Sequence, residues 1–150
     1  MALERPIIIA GFAPSGPGRR RPPVKLHASL PAAANVFTSY GDGYVEVNAV
    51  RHATPIVVMA DRPVLDWPVA DFAALTAESF AFVAALAPEV VLFGSGPRIR
   101  FAHPRLVAPL SARGIGVETM DVHAACRTYN ILVAEGRRVA AALLIGPVTA

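Results

Sequence analysis

PEVVLFGSGPRIRFAHPRLVAPLSARGIGVETMDVHAACRTYNILVAEG, residues 88–136, is the stretch whose pattern decides the fold. Val90 to Phe93 is an unbroken apolar run between Pro88 and Gly94-Ser95-Gly96, the pattern of a strand buried on both faces. His103-Pro104 opens a short helix carrying Leu106, Val107 and Leu110, and Gly114 closes it. Ile115 to Thr119 reads as a second strand, and Asp121 caps a helix that runs to Glu135 and stops at Gly136. Strands joined through helices need crossover connections, which are right-handed in nearly all cases.

Outward from this core the same alternation continues. Val139 to Ile145 reads as the last strand, and Pro55 to Ala60 as a continuous apolar strand. Phe72, Leu75, Phe80, Val83 and Leu86 form a helical stripe, with Thr76 as its N-cap and Pro88 beyond its end. Between strand and helix, Trp67 is expected as a half-buried anchor of its loop. Asn35–Tyr40 and Tyr44–Asn48 are β-prone, with a three-residue connection Gly41-Asp42-Gly43 between them, a hairpin signal. The pattern predicts a three-layer α/β domain with an N-terminal antiparallel hairpin. In such sheets ligands bind beyond the strand C-termini, where the Gly94–Phe101 loop and the helix start at Asp121 lie.

The 150 residues are 54% hydrophobic and 17% charged, which excludes a disordered chain and suffices for one domain with its own core. A single cysteine, Cys126, excludes an internal disulfide and a cysteine zinc site. No apolar run approaches the ~20 residues of a membrane-spanning helix. The net charge of +3 is unevenly placed: residues 1–26 hold five basic residues against Glu4, and the remainder nine basic against ten acidic. Residues 1–27 therefore read as a flexible basic Pro/Gly/Arg-rich arm and 28–150 as one α/β domain. The nearly neutral body lacks the basic face of a nucleic-acid binder. The Arg19-Arg20-Arg21 cluster in the arm offers a peripheral contact to an acidic membrane surface. Prolines 14, 17, 22 and 23 break any presequence helix, and Glu4 and the missing cleavage site argue against export, so a cytoplasmic protein is expected.

Gly94-Ser95-Gly96 after a buried strand resembles an anion-cradling turn, with Arg98 and Arg100 supplying charge. It lacks the full G-x-G-x-x-G pattern, and Pro97 removes a donor. On the following helix His123, Arg127 and Asn130 form one polar face. Arg127 either braces the loop through Asp121 or Glu118 or presents its guanidinium to a ligand or partner. Cys126 falls on the apolar face beyond the first turn, which reads as a buried thiol rather than a nucleophile. The four histidines lack metal-ligand spacing, and neither a G-x-S-x-G elbow nor a carboxylate pair is present. No metal, cofactor or catalytic residue is assigned.

Three blocks resemble a known family: Tyr40 to Asn48, Pro88 to Gly96, and above all Gly114 to Asp121 leading into Ala124 to Leu132. They are similar to the family of the mitochondrial complex I (NADH:ubiquinone oxidoreductase) assembly factor 3, which has many uncharacterised bacterial and archaeal members. The resemblance covers roughly residues 28 to 145 and leaves out the basic arm. It departs at Val122, where the family commonly has Thr, and at Gly94-Ser95-Gly96, where it commonly has Gly-Thr-Gly. The resemblance implies a three-layer fold with a central mixed sheet, no established catalytic activity and a role through protein contacts. The expectation is a non-enzymatic domain that binds another protein and assists assembly of a membrane-associated respiratory complex. The alternative is a small-molecule or anion-binding domain, or an enzyme, using Gly94, Ser95, Gly96, Arg98, Arg100, Arg127 and Asn130.

Overall fold

A computed structural model describes residues 34–146. The proposed arm, and residues 28–33 and 147–150 of the proposed domain, lie outside the described residues. Three strands, β1 (Phe37–Gly41), β2 (Tyr44–Val47) and β3 (Val50–His52), form an antiparallel sheet in that order. The central sheet is mixed and five-stranded. It contains β4 (Ile56–Met59), β5 (Leu65–Asp66), β6 (Val90–Gly94), β7 (Gly116–Met120) and β8 (Val139–Leu143), in the order β5-β4-β8-β6-β7. β8, β6 and β7 run parallel, while β4 is antiparallel to both β5 and β8.

Because side chains alternate across a strand, each central strand feeds two cores. Ile56, Val58, Leu92, Ala141 and Leu143 face α3 (Val122–Ala134) and the three-stranded sheet. Val57, Met59, Val91, Phe93, Ala140 and Ala142 face the layer of α1 (Ala77–Ala84) and α2 (Pro104–Ser111). The unbroken apolar runs of β4, β6 and β8 are thus the signature of strands covered on both sides. The alanines of β8 are fully buried between the two layers. The caps follow the sequence: Thr76 and Ser79 form a capping box on α1, His103 caps α2, and Asp121 caps α3.

Three local expectations are corrected. The β1–β2 connection is the two residues Asp42-Gly43, since Gly41 pairs with Tyr44 inside the hairpin and Gly43 alone takes positive φ (79°). Trp67 is fully buried at 2% exposure, because its indole Nε1–H donates to the Ser79 carbonyl at 2.9 Å and its ring packs edge-on to Phe80 and Phe93. A third strand, β3, follows a tight turn at Asn48 (φ 50°) and Ala49 (φ 71°). Two consecutive left-handed residues are the geometry for which Asn-Gly is the familiar sign, and alanine in the second place hides it. Ala49 is held there by the bond from its N–H to the Thr38 hydroxyl, 2.9 Å. Substituting Ala49→Gly removes the left-handed penalty and is expected to raise stability by about 0.5–1 kcal/mol, read from urea denaturation.

Candidate functional site

The loop after β6 is built around a buried hydroxyl. Ser95 is 0% exposed. Its Oγ accepts the Arg100 N–H at 2.7 Å and donates to the Arg98 carbonyl at 3.0 Å. Its own N–H bonds the Met120 carbonyl at 2.9 Å, fixing the loop to the end of β7. Gly94 lies where α3 packs against the end of β6, and Gly96 takes φ +129°, a conformation open to glycine. The glycines turn the chain and admit the helix.

The start of α3 is already supplied with acceptors. The Val122 N–H donates to the Gly96 carbonyl at 2.9 Å, and the Ala124 N–H to the Asp121 carboxylate at 2.9 Å. A carboxylate at this helix N-terminus takes the place an anion would occupy. A cleft of about 150 Å³ opens beside it, between the Asp42-Gly43 turn, Pro97 and His123, with Asp42 and Asp121 on its walls.

The polar face of α3 turns toward β1 instead. Asn130 spans the edge of β1: its Oδ1 accepts the Phe37 N–H and its Nδ2 donates to the Phe37 carbonyl, both at 2.9 Å. His123 stacks on Tyr40 with ring centres 4.3 Å apart, and its Nε2 is 3.0 Å from the Gly41 carbonyl. Arg127 donates to the Tyr40 hydroxyl at 2.9 Å, and that bond raises the guanidinium pKa further. Arg127 therefore braces β1 through Tyr40, not the loop through Asp121 or Glu118. The helix stripe was legible in the sequence, but its receiver Tyr40 lies 87 positions away and carries no local sign of the contact.

Among the residues singled out from the sequence, Gly94, Ser95, Gly96, Arg98 and Arg100 share one loop. Arg127 and Asn130 sit on the β1 side of α3 and do not join them. Arg98 and Arg100 are exposed, and the Arg100 guanidinium lies 4.3 Å over the Phe72 ring. Sequence reading missed Ile99 and Phe101, which stand 49% and 72% exposed between the arginines. The Arg-Ile-Arg-Phe alternation outside any helix was the available signal. Among the described residues no three His, Cys, Asp or Glu side chains converge on one point.

Cys126 is 1% exposed, and burial pushes its thiol pKa from 9.0 up to about 12. A protonated thiol is a poor nucleophile. A thiol-exchange reagent at pH 8 is expected to leave the native chain unlabelled and to label one thiol per chain in urea. The raised folded pKa makes this group's contribution to stability full below pH 9 and lost as pH climbs toward 12.

Comparison with known proteins gives the same picture over the folded body. A family model described as "Protein of unknown function (DUF498/DUF598)" matches residues 37–144. NADH dehydrogenase [ubiquinone] 1 alpha subcomplex assembly factor 3 of Bos taurus is 34% identical over 124 residues, covering 81% of this chain and 66% of the bovine one. The chain thus spans just under two thirds of that relative's length. A crystal structure of a Bordetella parapertussis protein is 53% identical with a TM-score of 0.73, covering 77% of this chain and 99% of that one. A solution structure of a Bordetella pertussis protein, described as an Mth938-like domain, is 44% identical with a TM-score of 0.68, covering 83% and 94%. Its folded body and its resemblance to assembly factor 3 thus agree, and the chain belongs to the DUF498/DUF598 family.

Proposed function

We propose that this protein is a non-catalytic domain of the cytoplasm that binds another protein and assists assembly of a membrane-associated complex. Its kinship with complex I assembly factors supports the role. The observation that carries the reading is Ile131 of α3, which stands 58% exposed one turn from Arg127. The guanidinium of Arg127 is pre-oriented by the Tyr40 hydroxyl at 2.9 Å. An apolar side chain beside a fixed cation is a docking element that loses little entropy on binding.

The anion-binding alternative is not favoured. The Ser95 hydroxyl is engaged by its own loop, Asn130 by Phe37, and the start of α3 by Asp121 and Gly96. The test is a photo-crosslinking side chain at position 131 in cells. One reproducible subunit of a membrane complex is expected, and its recovery should fall with Arg127→Ala. Saturable thermal stabilisation by a nucleotide, phosphate or carboxylate, abolished by Arg127→Ala, would overturn the reading.

A further inference from the structure

We infer that the segment 97–105, Pro97-Arg98-Ile99-Arg100-Phe101-Ala102-His103-Pro104-Arg105, is a docking point for an anionic lipid surface. It carries three arginines and no acidic residue. Among the described residues, Arg51, Arg62, Arg137 and Arg138 each have a carboxylate within 4.0 Å, while Arg98, Arg100, Arg105, Arg113 and Arg127 have none; of these, Arg113 donates to the Ala84 carbonyl and Arg127 to the Tyr40 hydroxyl. Arg98, Arg100 and Arg105, the cations anchored neither to a carboxylate nor to a distant hydroxyl or carbonyl, flank Phe101, the most exposed aromatic ring among the described residues. Phe101 is 72% exposed and Ile99 49%.

The segment is held, not loose. On one side the Ser95 hydroxyl accepts the Arg100 N–H at 2.7 Å and the Arg100 guanidinium lies over Phe72. On the other, the His103 Nδ1 accepts the Arg105 N–H at 3.0 Å and Pro104 starts α2. Phe101 is suspended between these anchors, so presenting it needs no ordering on contact. A single aromatic ring and one branched side chain, flanked by arginines, suit the boundary between headgroups and acyl chains. The ring enters, and the cations stay with the phosphates.

Charge favours this occupant: three arginines with no acidic residue among them suit an anionic surface. The two side chains offer roughly 200 Å² of apolar surface, given that a whole aromatic side chain buries about 150–250 Å². A lipid surface needs no larger patch, because favourable terms add residue by residue. The inference shifts the membrane contact expected of the basic arm to the folded body, and it stands independently of the protein-binding face on α3.

The experiment is flotation of the full chain with phosphatidylcholine vesicles, with and without a quarter of phosphatidylglycerol. Binding is expected with the anionic vesicles and not with phosphatidylcholine alone. Phe101→Ser is expected to weaken it about tenfold, and the pair Arg98→Gln with Arg105→Gln by about tenfold or more. Unchanged urea denaturation would show that these exposed substitutions leave the fold intact. Replacing Arg19, Arg20 and Arg21 with glutamine should leave most binding in place. Inorganic phosphate matched in ionic strength to a chloride control should not compete, which separates a lipid surface from a phosphate site. Binding lost with the arm variant but kept by the loop variants would overturn the inference. So would the absence of binding to anionic vesicles, or a segment that proves to be covered by a second copy or another protein.

Discussion

Gly94→Val is expected to leave no folded protein, and Gly94→Ala to lower stability by about 2–3 kcal/mol. The cause is the packing of α3 across the end of β6. A Cβ at position 94 would stand 2.7 Å from Leu143 Cδ2, 3.2 Å from Val122 Cα and 3.3 Å from Ala125 Cβ. Leu143 is 0% exposed and Val122 Cα is backbone, so the leucine must turn aside and the first turn of α3 must give by a few tenths of an ångström. That shift strains the bond from the Val122 N–H to the Gly96 carbonyl and the Asp121 cap. Gly116→Ala is the control. It lies in the edge strand β7 with nothing within 4 Å of the new Cβ, and its effect should stay within about 0.5 kcal/mol. Urea denaturation followed by the fluorescence of the only tryptophan, buried Trp67, reads both variants. Equal effects at positions 94 and 116 would contradict the packing account.

What the sequence made legible was whatever depends on near neighbours. The β4, β6 and β8 runs, the Thr76, His103 and Asp121 caps and the glycines closing α2 and α3 are local signals, and each stands in the structure where its residues place it. The turn at Asn48-Ala49 escaped because alanine occupies a place where glycine is the usual marker. The Asp66 and Pro68 neighbours of Trp67 are polar or turn-forming and point to a half-buried ring, whereas its burial is decided by the Ser79 carbonyl on α1. The candidate site was legible as residue types but not as partners. Ser95 has the hydroxyl of an anion cradle, yet the loop folds back on it within five residues. Arg127 and Asn130 share a helix face with a ligand-binding look, yet that face meets β1, over 80 positions earlier. Pattern shows which face is polar. Only the packing of the three-stranded sheet shows what that face touches.

That distinction makes Asn130 the position where the two readings of the polar face part. If it serves a ligand, Asn130→Ala leaves stability nearly unchanged. If it completes β1, the substitution leaves the Phe37 N–H and carbonyl without their partner in a part-buried seam, and about 2–3 kcal/mol is expected to be lost. Asn130→Asp should be no better, because it keeps the acceptor for the N–H but sets a carboxylate against the Phe37 carbonyl. The loss should also be spatially uneven. Phe37 packs edge-on against Tyr129 at 5.0 Å, and Tyr40, three residues further along β1, carries both Arg127 and His123. Releasing β1 from α3 therefore loosens the three-stranded sheet before the central one. Hydrogen exchange should quicken across residues 37–52 in Asn130→Ala while β6 and β8 keep their protection. Arg127→Ala, whose partner is the exposed Tyr40 hydroxyl, should cost under about 1 kcal/mol and leave that exchange pattern unchanged. Uniform exchange in Asn130→Ala, or a stability cost as small as that of Arg127→Ala, would return Asn130 to the set of residues free to bind a ligand.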